Sequence, residues 1–81
     1  MGYSWDEKKN DELKGEGRPS FEDVVQAMSE HGVLVDDENP VHVGQRLYVV
    51  MINDYPHAVP YEIRGDIRWL ITVYPARKYK R

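Results

Sequence analysis

Apolar residues recur at Phe21, Val24, Val25 and Met28, a three-to-four-residue spacing that places them on one face of a helix. Signals at both ends agree. Ser20 is a good N-cap with Asp23 three residues on, a variant of the capping box, and Gly32 after His31 supplies a stop. The preceding stretch, DEKKNDELKGEG, predicts a second, less amphipathic helix. Asp6 caps it, Leu13 is the one strong apolar residue inside it, and Gly15 and Gly17 end it. Such a helix lies on the surface, held by Trp5 and Leu13. Tyr3-Ser4-Trp5 reads as a short strand or a lead-in.

From Val33 the period changes from helical to alternating. VLVDDENP predicts a strand running into a turn, with Asp36-Asp37-Glu38 as a solvated carboxylate run. QRLYVVMIND is β-branched and aromatic, bounded by Gly44 and Asn53-Asp54. In YPHAVPYEIRGD the prolines Pro56 and Pro60 predict an edge strand or a bulge. Arg64-Gly65-Asp66 reads as a tight turn. DIRWLITVYP then predicts a last strand, with Ile67, Trp69, Ile71 and Val73 on one face and Arg68, Leu70, Thr72 and Tyr74 on the other. Closely spaced strands with short turns favour an antiparallel meander. The expected fold is therefore α+β: two N-terminal helices packed on a three- to four-stranded antiparallel sheet, one domain over residues 1–81.

Composition adds a core and a compartment. Hydrophobic residues make up 41% of the chain, enough for a packed interior. Cysteine is absent, so neither disulfides nor thiolate zinc can staple the fold, as suits a reducing cytoplasm. The opening MGYSWDEKKNDEL lacks the apolar run of a signal peptide, and no stretch is long enough to cross a membrane.

Charge changes the picture more. The net charge is -3, yet residues 1–63 carry five Lys/Arg against thirteen Asp/Glu, and residues 64–81 carry six against one. The closing YPARKYKR alone holds Arg77, Lys78, Lys80 and Arg81. Two readings fit such asymmetry. One is a surface for nucleic acid or an acidic protein; the other is internal neutralisation, with the basic end lying on acidic helices.

No metal, cofactor or nucleophile pattern stands out. His31, His42 and His57 lack ligand spacing, and no phosphate-cradling glycine loop follows a strand. His57 and Glu62, five residues apart on one strand, fall on opposite faces, and His57 reads as a solvent-exposed edge histidine. The basic residues are richer. Arg64 and Arg68 flank the last turn, Arg46 opens a strand, and Arg77 and Lys78 follow Pro75. Guanidinium groups clamp phosphates and stabilise charge built during phosphoryl transfer. Tyr61, Tyr74 and Tyr79 lie among them and can stack on bases. A metal-free ribonuclease needs little beyond this, although surface salt bridges to the acidic helices use the same residues.

WDEKKNDELKGEGRPSFEDVVQAM resembles the opening of the BrnT family, the toxin halves of bacterial toxin–antitoxin pairs. Trp5, Asp6, Lys9, Asn10, Gly17, Ser20, Phe21 and Glu22 match its pattern. Gly44-Gln45-Arg46 resembles the family's arginine at the start of its central strand, and Ala76-Arg77-Lys78 its closing Ala-Arg-Lys. Thr72 and Pro75 stand where relatives have arginine and serine. The resemblance runs from Trp5 to Lys78. It implies a RelE-like fold, RNA cleavage that is ribosome-independent or ribosome-linked, and neutralisation by a cognate antitoxin of ribbon-helix-helix type. It makes Lys9, Arg46, Arg77 and Lys78 site candidates.

Together with the basic residues above, the expected site has Arg46, Arg68 and Arg77 gripping the scissile phosphate. Tyr74 or Glu62 moves the proton, and Lys9, Arg64, Lys78 and Lys80 hold flanking RNA. No cofactor is expected. A non-catalytic protein- or RNA-binding relative is the alternative.

Overall fold

Local chemistry builds the helical layer. The computed structural model describes residues 2–80 of the chain, so Arg81, the last cation of the basic tail, lies outside the described residues. A first strand, β1 (Gly2–Trp5), leads into α1 (Glu7–Gly15), where the Lys8 N–H donates to the Asp6 carboxylate at 2.9 Å. Helix α2 (Phe21–His31) opens on a complete capping box: Ser20 N–H donates to Asp23 Oδ2 at 2.9 Å, and Asp23 N–H to Ser20 Oγ at 3.1 Å. It closes at Gly32, whose φ of +72° suits glycine and whose N–H donates to the Met28 carbonyl.

The two helices are joined by one buried side chain. Asn10 is fully buried; it accepts from Phe21 N–H at 2.8 Å and donates to Glu22 Oε1 at 2.7 Å. One of the unpaired N–H groups at the start of α2 is thus satisfied from α1. Trp5 stacks on Phe21, with ring centroids 5.6 Å apart.

The sheet follows with β2 (Val35–Glu38), β3 (Arg46–Ile52), β4 (Tyr55–Arg64), β5 (Ile67–Leu70) and β6 (Tyr74–Pro75), and a 3₁₀ turn at Arg77–Tyr79. The order is β1-β5-β4-β3-β2, with β6 also on β4. Two-residue turns set the register. Asn53 and Asp54, at φ +53° and +62°, join Ile52 to its partner Tyr55, as in a type I′ hairpin. The chain is α+β with two helices, as its patterning predicts. The sheet, however, is six-stranded and mixed rather than three- to four-stranded and antiparallel, because β1 runs parallel to β5. A four-residue and a two-residue strand are too short to show a period, so β1 and β6 come from tertiary pairing.

Two further expectations are overturned. The proline-bearing strand β4 is no edge: it pairs with β3 on one side and with β5 and β6 on the other. A strand residue points its N and its carbonyl to the same side. The Pro60 carbonyl accepts from Ile71 N–H and the Pro56 carbonyl from Ala76 N–H, both at 2.9 Å. Each missing N–H therefore faces the seam around β6, where the ladder is already interrupted, and the β3 ladder loses nothing.

The last strand is also broken, since Ile71, Thr72 and Val73 leave the ladder. Arg18 holds this break, its guanidinium donating to the Val73 carbonyl and to Thr72 Oγ. The break shifts the alternation by one. Val73 joins Leu70 in the helix-side core, and Tyr74 turns to the other face opposite Ala58.

The sheet is thereby buried on both faces. Under the helices, Leu13, Phe21 and Val24 pack on Val50, Ile52, Val59, Leu70 and Val73. On the reverse face Ala76 and Tyr79 of the tail pack on Leu47, Val49 and Ala58.

Candidate functional site

On the helix side the sheet continues past the helices to a polar network. Arg46, Tyr48 and Tyr61 alternate onto this face with Asp36 of β2 beside them. Tyr61 donates its hydroxyl to Asp36 Oδ1 at 2.5 Å, and Arg46 Nε donates to the Tyr61 hydroxyl oxygen at 3.1 Å. Arg46 Nη2 also reaches the Asp36 carboxylate, at 3.2 Å. Tyr48 stacks on Tyr61 with centroids 4.0 Å apart and planes 8° from parallel, and Tyr3 meets Tyr48 edge-on.

Burial pushes the Tyr61 hydroxyl above its ordinary pKa, and its bond to the Asp36 carboxylate pushes the same way. Tyr48 is raised by burial and then by Tyr61, and Tyr3 by burial and then by Tyr48. Arg46 is held charged by the Tyr61 hydroxyl first and by Asp36 after it. These tyrosines are therefore kept as protonated donors, and Arg46 already balances a carboxylate. Arg68, half-buried on β5 opposite Tyr3, makes no ion pair among the described residues.

On the reverse face β4 and β5 present Glu62, Arg64 and Trp69. Arg64 pairs with Glu62 at 2.7 Å and lies over the Trp69 ring, 4.4 Å from its centroid. Glu62 is thus engaged by a cation on its own strand. The tail crosses this same face of the sheet. Lys80 Nζ sits 4.9 Å from the centroid of the Tyr55 ring and Lys78 Nζ 5.2 Å from that of Tyr79. Arg77, Lys78, Lys80 and Tyr74 are all exposed. Arg77, Lys78 and Lys80 have no carboxylate within ion-pair distance among the described residues.

The expected site is therefore divided between the two faces of the sheet. Arg46 and Arg68 share the helix-side face. Glu62, Arg64 and Tyr74 share the other, with the tail folded across it. Tyr74 does not share a face with Arg68, because the break at residues 71–73 turns it over. Lys9 stands apart on α1, half-buried and without an ion pair among the described residues. His57 is also corrected. It is buried on the central strand β4, not exposed on an edge, with Nδ1 2.8 Å from the Tyr55 carbonyl.

Sequence patterning missed the Asp36–Tyr61–Arg46 network. Asp36-Asp37-Glu38 is a strand rather than a solvated turn. The available signal was alternation: Asp36 and Glu38 sit two apart on a strand that pairs with one beginning at Arg46.

Among the described residues no group of three His, Asp or Glu side chains is placed to hold a metal ion, and no helix is long and apolar enough to cross a membrane. No protein-family model, curated protein or solved structure matches this chain.

Proposed function

We propose that this chain is the toxin half of a bacterial toxin–antitoxin pair, a BrnT-like protein of RelE-like fold. In this reading it acts on RNA in the cytoplasm, cleaves it without a metal, and is neutralised by a cognate antitoxin of ribbon-helix-helix type. The observation that carries the reading is the tail. Three cations, Arg77, Lys78 and Lys80, are exposed beside Tyr55, Tyr74 and Tyr79 with no carboxylate partner among the described residues. They lie on the sheet face opposite α1 and α2, which hold six of the fourteen acidic residues. Internal neutralisation would instead have paired tail and helices. Unpaired cations interleaved with aromatic rings suit a single-stranded phosphate backbone with stacked bases.

In this reading Arg77, Lys78 and Lys80 hold RNA, with Arg77 closest to the reacting phosphate and Tyr74 on the same face as a proton donor. The test is cleavage of a mixed-sequence single-stranded RNA in EDTA, with and without ribosomes. The wild-type chain is expected to cut and Arg77→Ala to lose most of the activity while keeping its circular dichroism spectrum. Intact RNA in both settings would remove the nuclease.

A second reading, a non-catalytic binding module, draws on a different observation. Arg46 is committed to Asp36 and Tyr61, and Glu62 to Arg64, so two of the expected catalytic groups are already occupied. RNA binding without cleavage in the same assay would favour it.

A further inference from the structure

A groove of about 560 Å³ runs between α2 and the β3–β4 hairpin. Its wall is a second stripe of α2, Asp23, Gln26, Ala27 and Glu30, at positions i, i+3, i+4 and i+7 beside the core stripe. Its floor includes Ile52 of β3, Leu34 stands at its rim, and Asp54 of the hairpin turn closes the far side. Leu34 is 56% exposed and the adjoining Val33 42%, so large apolar side chains are left in water at the rim. The lining holds three carboxylates and no lysine or arginine.

We infer that this groove is a docking site for a cationic amphipathic helix of a partner protein. Charge selects the sign of the partner. The fold selects its secondary structure: β4 pairs β3 along its whole length and β2 pairs it from Arg46 to Val49, so only the last three residues of β3, 50–52, lack a neighbour on the β2 side, too short an edge to seat an added strand. Recognition is left to side chains. Asp23 and Glu30 are seven residues apart on α2, about 10 Å at 1.5 Å per residue. A helix lying along α2 meets them with Lys or Arg at the same two-turn spacing. Its apolar stripe then covers Leu34, Ala27 and Ile52, with Ala27 allowing close approach. The inference is independent of the RNA reading, because none of the tail cations lines the groove.

The test is fluorescence anisotropy with a labelled, end-capped Leu/Lys amphipathic helical peptide and its Leu/Glu counterpart. The Leu/Lys peptide binds, with affinity falling as salt rises, and the Leu/Glu peptide does not. Glu30→Lys and Leu34→Ser, both at exposed positions, each weaken binding about tenfold or more. Glu7→Lys, an acid removed from α1 instead, leaves binding unchanged. Circular dichroism melts confirm that all three variants fold. The inference is overturned if the Leu/Lys peptide does not bind, if Glu30→Lys and Leu34→Ser have no effect, or if the Leu/Glu peptide binds equally well. Sedimentation that shows self-association abolished by Glu30→Lys also overturns it, and assigns the groove to a second copy of the chain.

Discussion

Asn10 is fully buried in a helix with one strong apolar residue, and both ends of its amide are used. Asn10→Ala leaves the Phe21 N–H buried without a partner, so urea unfolding is expected to show a loss of about 2 kcal/mol. Nothing in the local pattern marks this residue, since asparagine in a polar helix reads as solvated. Its partners are eleven and twelve residues away, and only the packing of α1 on α2 brings them together. The tyrosine network makes a second prediction at this scale. Tyr61, Tyr48 and Tyr3 are all raised above the ordinary tyrosine pKa of about 10, burial being the first cause in each. A raised folded-state pKa means that the folded state favours the neutral hydroxyl. The associated stability is complete below the unfolded-state pKa and is lost as pH rises through the folded one. The melting temperature should therefore fall once the pH exceeds about 10, and Tyr61→Phe should make that fall shallower.

At the scale of elements, the helices were legible because their signals are local. Caps, apolar spacing and terminal glycines all lie within a few residues of what they control. The sheet was legible only where strands are long. The pattern from Ile67 to Val73 alternates as if it were one strand, but the ladder stops at Leu70 and resumes at Tyr74. Arg18, more than fifty residues earlier in the chain, holds the three residues between. Arg18→Ala should free the Val73 carbonyl and loosen β6. Hydrogen exchange at Ala76 N–H, now bonded to the Pro56 carbonyl, should quicken, while amides in the middle of β3 keep their protection. Equal acceleration at both places would mean that Arg18 supports the fold globally rather than this break. The prolines of β4 teach a related lesson. Proline excludes a strand from the centre of a sheet only when its missing donor is needed, and here the neighbouring residues Ile71 and Ala76 lie just outside the regular ladder and donate to the proline carbonyls instead.

For the whole molecule, the decisive property is where charge ends up. The tail lies on the face opposite the helices, so the tail's share of the segregation written along the chain survives folding, while Arg68 of the same basic segment falls on the helix side and Glu62 on the tail's face. With three cations contacting phosphates, the logarithm of the RNA association constant should fall against log salt with a slope of about 2, at roughly 0.7 per phosphate on a single strand. Lys78→Glu with Lys80→Glu should flatten that slope and weaken binding, whatever the RNA sequence. A slope unaffected by the double variant would move RNA contact elsewhere, to Arg68 and Arg46 on the helix side.

The amino-acid sequence alone determined the helices, their caps, the main strands, the α+β class and the basic end, because each depends on neighbours within one turn or one hairpin. Tertiary structure decided the parallel pairing of β1, the burial of β4 and the break before Tyr74. It also decided which face each cation occupies. A single residue out of register reverses every side chain that follows it, and that slip is set by contacts far away in the chain. Arg46, Glu62, Arg68, Tyr74 and Arg77 read as one site along the sequence. Folding places them on two faces of one sheet.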